Sequence, residues 1–329
     1  MKRRNFLASS AGGIMLAASR LASAQNSTTS LVTTGYAPVN GLKLYYEIHG
    51  RGEPLILIHG GVVGITMFGP NLATLSEKRK VIAVELQGHG HTADIDRPLS
   101  YEAMADDIHG LMKFLRVEQA DVMGYSLGGG VALQTAMRHP ESLRKLVVVS
   151  AAFKRDGWYP EVLAAMAQMG PAAGEQMKQS PLSKLYPNVN WAVLFTKLGE
   201  LLRKDYDWRR EVAGIKSPTM LVFADADAIR PAHIIEFYGL LGGGQKDAGL
   251  DGSGRSTNQL AGFARADALH CKFRRVAGDG RGILSRCANA AEQMRGLTAP
   301  YWSEVEGVYR LVAACHWASS PGTSLSAFS

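Results

Sequence analysis

The residues with the clearest chemical potential are GYSLG at positions 124–128, a GxSxG pentapeptide. They follow an apolar run at 120–123 and precede a glycine-rich helix start just past Gly128, so they predict a strand-to-helix turn. So sharp a turn requires small residues two positions on either side of the serine. It lifts the serine hydroxyl above the sheet, and the helix N-terminus behind it favours developing negative charge. Ser126 is therefore the candidate nucleophile. The alternative is a glycine-rich turn with a capping serine.

A second candidate element is the sequence HGGV at positions 59–62, which ends an apolar strand. A backbone that turns here can direct an N–H group at the oxygen of a tetrahedral intermediate, and the N–H of Leu127 would be the second donor. We predict Gly61 as the first donor, with Val62 as its rival. His59 precedes Ser126 in the chain, so we predict a structural hydrogen-bonding role for it rather than that of a base.

The elements that must position these residues alternate along the chain. After a Ser/Thr-rich linker (26–35), apolar runs predict strands at 42–48, 55–58, 81–84, 120–123, 146–149 and 220–224. Helical spacing predicts helices at 67–75, 101–115, 129–138 and 231–241. This alternation indicates an α/β fold with a mostly parallel sheet covered by helices on both faces. Residues 153–208 interrupt it with helix-like stretches and predict a small helical lid, the alternative being a long crossover.

Three motifs carry a resemblance to a known family. HGG after one strand, ELQGHGHT after the next and GYSLGG after a third resemble the α/β-hydrolase superfamily, in particular its lid-bearing esterase, haloperoxidase and lactonase-like branches. The resemblance covers residues 34 to about 262. It implies the α/β-hydrolase fold, a catalytic order of serine, acid and histidine, and no metal or cofactor. The superfamily usually has aspartate where this chain has Glu85, and a serine at 126 argues against dehalogenases and epoxide hydrolases.

The resemblance places the catalytic acid after the strand at 220–224. Asp225 and Asp227 both stand there, and the superfamily's spacing favours Asp227, with Asp225 as the alternative. His233 follows the acid too closely to return to Ser126, so we predict it on a helix surface. The base should come after one more strand, in a loop that reaches the serine.

The chain departs from the superfamily pattern after about residue 262. No strand-helix pattern is clear from 263 to 329, where His270 is the candidate base and His316 the other candidate, predicted on the surface. Plausible codons for residues 263–276, read one base later, spell LPGLTHYTANFAAS, which resembles the superfamily's ending and puts a histidine in place of Ala268. We therefore hypothesise a frameshift near residue 262 and expect an atypical, loosely packed tail at 263–329.

Residues 1–24 have the layout of an export signal: a basic start, a short apolar middle and a small-residue end. The pair Arg3-Arg4 followed by Asn-Phe-Leu resembles a twin-arginine signal. Cleavage after Ala24 would give a periplasmic or secreted protein without stable membrane insertion. Its hydrolase core would lie at 25–152 and 209–262.

Composition excludes other classes. With 46% hydrophobic and 20% charged residues among 329, the chain can bury a large core and is not disordered overall. Its net charge of +7 falls to +3 without the four basic residues of the leader, and no run of five like charges occurs, so no nucleic-acid partner is predicted. Cys271, Cys287 and Cys315 lie in the last 67 residues and fit no zinc or CxxC motif.

These features predict a serine hydrolase that cleaves a carboxylic ester, or a related acyl bond such as a lactone, in a small molecule through an acyl-enzyme. Trp158, Met166, Met169 and Trp191 of the lid indicate an apolar pocket wall, with core packing as the alternative. A second hypothesis is a catalytically impaired α/β-hydrolase-like protein without the native histidine. A third is a proline-iminopeptidase-like peptidase, disfavoured because the lid shows no acidic cluster for a substrate amine.

Overall fold

The computed structural model describes residues 32–224 and 227–243, and the backbone of 266–271. Several predictions therefore fall outside the described residues. These are the export signal at 1–24, the alternative acid Asp225, two of the three cysteines, His316, and the tail apart from 266–271.

Eight strands form one sheet in the order β1-β2-β4-β3-β5-β6-β7-β8. They are β1 (Thr33–Val39), β2 (Leu42–His49), β3 (Glu53–Ile58), β4 (Arg79–Val84), β5 (Ala120–Tyr125), β6 (Leu143–Val149), β7 (Thr219–Ala224) and β8 (Ala266–Cys271). β2 pairs antiparallel with β1 and with β4. All other neighbours pair in parallel, so the carboxyl ends of β3 to β8 lie along one edge of the sheet.

Nine helices occur in the described residues: α1 (Pro70–Ser76), α2 (Tyr101–Phe114), α3 (Leu127–Arg138), α4 (Pro160–Ala167), α5 (Pro171–Met177), α6 (Pro181–Leu185), α7 (Trp191–Arg203), α8 (Arg209–Ala213) and α9 (Pro231–Leu240). Proline at the first position begins five of them, where its missing N–H has no intrahelical partner to lose. The side chain of Ser100 caps α2 by accepting a hydrogen bond from the N–H of Ala103. None of the helices in the described part of the chain has the length and apolar character needed to span a bilayer.

The parallel strands are buried on both faces, as β3 illustrates. Ile56 and Ile58 pack into the larger core with α2 and α3. Leu55 and Leu57 point the other way and pack with Phe68 in a second core. A strand covered on both sides reads as a continuous apolar run, because consecutive side chains alternate between two dry faces. The predicted α/β fold with a mostly parallel, doubly covered sheet is confirmed.

The main differences from the sequence-based expectations concern β1, the first helix and β8. β1 begins at Thr33, inside the predicted linker, because threonine and tyrosine suit an edge strand paired with β2. The helix predicted at 67–75 is divided: Gly69, with φ 47°, separates a 3-10 turn from α1, which starts at Pro70. β8 lies in the tail, where the local pattern indicates no strand, although the resemblance implies one more strand before the base. The strand forms because the edge of β7 offers it backbone hydrogen bonds, although its own residues favour a strand only weakly.

Residues 153–208, between β6 and β7, contain α4 to α7. Lys197 of α7 ties these helices to the segment before α2. Its Nζ donates to the Asp94 carboxylate at 2.7 Å and to the carbonyl oxygens of Ile95 and Arg97 at 2.6 and 2.9 Å. Such charge-assisted bonds fix the position of α7. Whether this segment moves as a lid stays a prediction.

Candidate active site

Ser126 alone forms the turn between β5 and α3, which is shorter than the predicted one. β5 continues to Tyr125 and α3 begins at Leu127. Ser126 has φ 51° and ψ −113°, in a region that residues with a side chain rarely adopt. Its N–H donates to the carbonyl oxygen of Val149 at the end of β6, at 2.9 Å. The strained turn is thus held by the neighbouring strand.

Close backbone contacts explain the glycines on both sides of the serine. A Cβ added to Gly124 would fall on the carbonyl oxygen of Gly128. One added to Gly128 would fall on the carbonyl oxygens of Ile58 and His59. Only a residue without a side chain lets the end of β5, the start of α3 and the segment after β3 approach so closely. This approach brings the HGGV segment next to Ser126.

Gly61, Val62, Ser126 and Leu127 line one cavity. Leu127 is the first residue of α3, so its N–H has no partner within the helix. Neither the Gly61 nor the Val62 N–H donates a hydrogen bond to another described residue. Both predicted candidates for the first oxyanion donor therefore lie beside the serine with free N–H groups in the described structure.

The cavity has a volume of about 170 Å³. The sequence analysis predicts that two tryptophans and two methionines of the lid form an apolar pocket wall. Trp158, Met166 and Met169 do line the cavity, whereas Trp191 packs in the core instead. The apolar wall consists of Val62, Trp158, Met166, Met169, Leu198 and Leu202. Among the described residues no charged side chain lines the cavity.

Asp227 follows β7 and is 8% exposed. Its Oδ2 accepts hydrogen bonds from the hydroxyl of Ser150 at 2.7 Å and the N–H of Ala224 at 3.0 Å, and its Oδ1 accepts one from the N–H of Ile229 at 3.1 Å. Three donors therefore fix the orientation of this carboxylate. Sequence reasoning missed Ser150, because it lies 77 positions from Asp227 and no local spacing connects the two.

His270 is placed by its backbone on β8, opposite Phe223 of β7. β8 neighbours the strand that leads to Asp227, which suits a pairing of the two residues. However, three strand spacings of about 4.8 Å, roughly 14 Å in all, separate β8 from β5. The structure thus places His270 on a strand and not in the predicted loop returning to Ser126. Its role as base stays a prediction.

His59 is fully buried beneath the site and forms two hydrogen bonds. Its Nε2 accepts from the N–H of Leu86 at 3.1 Å, so Nδ1 carries the proton and donates to the carbonyl oxygen of Gly60 at 2.6 Å. Burial, with a smaller contribution from His89, lowers the pKa of His59 to about 3. A neutral ring used in this way holds the HGGV segment against the end of β4. This arrangement suits the predicted structural role.

The prediction that His233 lies on a helix surface was wrong. Its side chain is buried, its ring stacks on Phe153 with centroids 4.1 Å apart, and its Nε2 accepts from the N–H of Phe153. Gly157 makes the space, because a Cβ there would collide with the imidazole. Burial lowers the pKa of His233 to about 4.

We expect the free energy of unfolding to decrease as the pH falls below about 6.5. Burial lowers the pKa of His59 to about 3, and those of His89 and His233 to about 4. The unfolded chain therefore binds protons first, so stability that is fully present above pH 6.5 is lost between that pH and the folded pKa values. Each histidine contributes a slope of up to about 1.4 kcal/mol per pH unit.

Urea unfolding at pH 7, 6 and 5 measures this effect. The variant His233→Gln, which lacks one of the three titrating groups, should show a shallower slope than the parent protein. Equal stability at pH 7 and pH 5 would contradict the buried, neutral state of these rings.

One group of described residues has ligand atoms close enough for a metal ion: His109, His139 and Glu141, within 4.8 Å of one another. The two imidazole rings stack in parallel, 4.0 Å apart at 3°. A metal bound by a ring nitrogen lies in the plane of that ring, so one ion cannot serve both rings as they stand. His139 also sits at the far end of α3 from Ser126. This group has no part in the cavity.

Residues 55–270 match a model of the Alpha/beta hydrolase family, and this range is more than half of the chain. The chain belongs to this family, and the predicted superfamily membership is confirmed.

The chain is similar to hydrolases among the relatives. It is 35% identical over 116 residues to 2-hydroxymuconate semialdehyde hydrolase of Pseudomonas sp. (strain CF600). The matched region is 34% of this chain and 41% of that protein. It is 29% identical over 215 residues to the AB hydrolase superfamily protein YisY of Bacillus subtilis, and the matched region is 57% of this chain and 79% of that protein. The enol-lactonase from Burkholderia xenovorans has a similar fold, with a TM-score of 0.55, 21% identity and coverage of 78% and 98%.

Proposed function

We propose that this chain is a serine hydrolase that cleaves a carboxylic ester, or a related acyl bond such as a lactone, in a small uncharged molecule. The observation that carries the proposal is the position of Ser126. It forms the whole of a strained turn and lines a cavity together with the free amides of Leu127 and Gly61 or Val62. Such a turn costs stability and is maintained where it presents a reactive group.

The reaction follows from these positions. The Ser126 hydroxyl attacks the acyl carbonyl carbon while a histidine, for which His270 is the candidate, takes its proton. Asp227 orients that histidine, and the N–H groups of Leu127 and Gly61 donate to the negatively charged oxygen of the tetrahedral intermediate. The histidine then gives the proton to the leaving oxygen as the acyl carbon–oxygen bond breaks, so an alcohol departs, and water hydrolyses the acyl-serine to release the acid and restore the Ser126 hydroxyl.

The cavity supports a small acyl group. Clefts that bury drug-sized ligands have volumes of about 300–1,000 Å³, and the volume here is about 170 Å³. No carboxylate among the described lining residues could pair with a substrate amine, which argues against the peptidase alternative.

One observation favours the second hypothesis, an impaired hydrolase. His270 lies on β8, three strands from β5, whereas a base must reach the hydroxyl of Ser126. Without a base, a serine hydroxyl is a poor nucleophile, and loss of one member of a catalytic triad costs about 10⁴ to 10⁶ in turnover while binding persists.

Hydrolysis of p-nitrophenyl butanoate decides between an active serine hydrolase and an impaired one. We expect a rate above background for the protein and a loss of about 10⁴ or more in Ser126→Ala. His270→Ala should fall to a similar level, and His316→Ala, the matched control, should keep the parent rate. Equal background rates for the protein and Ser126→Ala would select the impaired hydrolase, provided that circular dichroism shows both folded.

A further inference from the structure

Tyr101 is a rigid aromatic residue beside the nucleophile helix. It is the first residue of α2 and is 6% exposed. Its ring packs edge-on against Trp208, with centroids 5.1 Å apart, and lies 5.8 Å from the ring of Tyr206. A Cβ on Gly130 of α3 would collide with the Tyr101 ring, so that glycine admits the tyrosine. The ring is therefore fixed in place before a substrate arrives.

The hydroxyl of Tyr101 has no hydrogen-bond partner within the part of the chain that the structure describes. Two other tyrosines, the half-buried Tyr206 and the buried Tyr186, do have partners: the Tyr206 oxygen accepts from the indole N–H of Trp158 at 3.1 Å, and the Tyr186 hydroxyl bonds Thr66 at 2.7 Å. The oxygen is not one of the fully buried unpaired atoms, so it is accessible without a partner, and this combination requires an explanation.

The cavity supplies that explanation. Tyr101 lines it together with Ser126, and the remaining described side chains of the lining are apolar, apart from the indole N–H of Trp158, which is already bonded to Tyr206. Burial raises the pKa of Tyr101 well above its usual range, so the hydroxyl keeps its proton and can donate. An apolar cavity with one unpaired hydrogen-bond donor suits an apolar ligand that carries one hydrogen-bond acceptor.

We propose that the Tyr101 hydroxyl donates a hydrogen bond to an uncharged oxygen on the acyl part of the substrate. The site then selects short acyl groups that carry an ether, hydroxyl or keto oxygen over plain alkanoyl groups of the same size. This inference rests on the proposed hydrolase function. A site built to bond a polar atom rejects the analogue that lacks it, because its own donor would stay unpaired.

Matched ester pairs test the proposal. p-Nitrophenyl methoxyacetate and butanoate differ by one oxygen in place of a methylene, as do 3-methoxypropanoate and pentanoate, which move the oxygen one atom outward. Intrinsic reactivity cancels when each pair is compared between the parent and Tyr101→Phe. For at least one pair, we expect Tyr101→Phe to lower kcat/KM for the oxygen-bearing ester by about 10-fold or more, and for its plain partner by less than about threefold.

Equal losses for both members of each pair would show a merely structural role and overturn the inference. Tyr186→Phe is the control. It removes the hydroxyl of another buried tyrosine, and because neither Tyr186 nor its partner Thr66 lines the cavity, it should leave the ratio within each pair unchanged.

Absence of hydrolysis above the Ser126→Ala level would overturn the proposed function instead. In that case binding of the corresponding ethyl esters to Ser126→Ala, measured by NMR titration, separates the two ideas. Tighter binding of an oxygen-bearing ester that disappears on adding Tyr101→Phe supports the donor role of Tyr101. Equal binding within both pairs rejects it.

Discussion

Asp227→Asn is expected to lower kcat/KM for short-chain esters by about 10⁴ while the protein stays folded. Asparagine presents an NH₂ group where a catalytic imidazole needs an acceptor, so the ring takes the wrong tautomer. The amide also has one acceptor oxygen for the three donors that now hold the carboxylate, namely Ser150, Ala224 and Ile229. Steady-state kinetics with p-nitrophenyl butanoate measures the loss, and circular dichroism checks the fold.

Asp225→Asn is the matched control, since it makes the same change two positions away. It should leave kcat/KM within about threefold of the parent value, because the carboxylate next to Ser150 is untouched. The reverse pattern, a large loss in Asp225→Asn and a small one in Asp227→Asn, would transfer the role of the acid to Asp225.

Gly124→Ala is expected to destabilise the protein by at least about 3 kcal/mol, or to prevent folding. The new methyl group would occupy the position of the Gly128 carbonyl oxygen, which belongs to the backbone of α3 and cannot rotate away as a flexible side chain could. Relief would require β5 and α3 to separate, and this would reshape the turn at Ser126. Urea unfolding of purified protein, or the soluble yield if unfolding is complete, measures the effect.

Gly239→Ala provides the comparison. Gly239 lies in α9, and a Cβ there meets no atom within 4 Å. Alanine lowers the conformational entropy of the unfolded chain, so this variant should gain about 0.5–1 kcal/mol. A Gly124→Ala protein as stable as the parent would show that the backbones around Ser126 do not approach as closely as the structure indicates.

Much of the fold was predictable from local patterns. The apolar runs at 55–58, 81–84 and 220–224 became β3, β4 and β7 with small shifts at their ends, because strands buried on both faces leave a continuous apolar signal. The turn at Ser126 was predictable because its steric demands fall on residues adjacent in the chain. Edge strands gave weaker signals: the first three residues of β1 lie in the predicted linker, and no local pattern indicates β8.

The amino-acid sequence by itself determined the family, the α/β class and the identity of the candidate nucleophile, since each depends on short local motifs or on the order of locally recognisable elements along the chain. Tertiary structure alone decided that Ser150 holds Asp227, that Tyr101 lines the cavity, and that His233 is buried. These contacts join segments between 25 and 80 positions apart in the chain. Periodicity and motif spacing describe what neighbours along the chain require, whereas a long-range contact exists only after the sheet has brought its strands side by side.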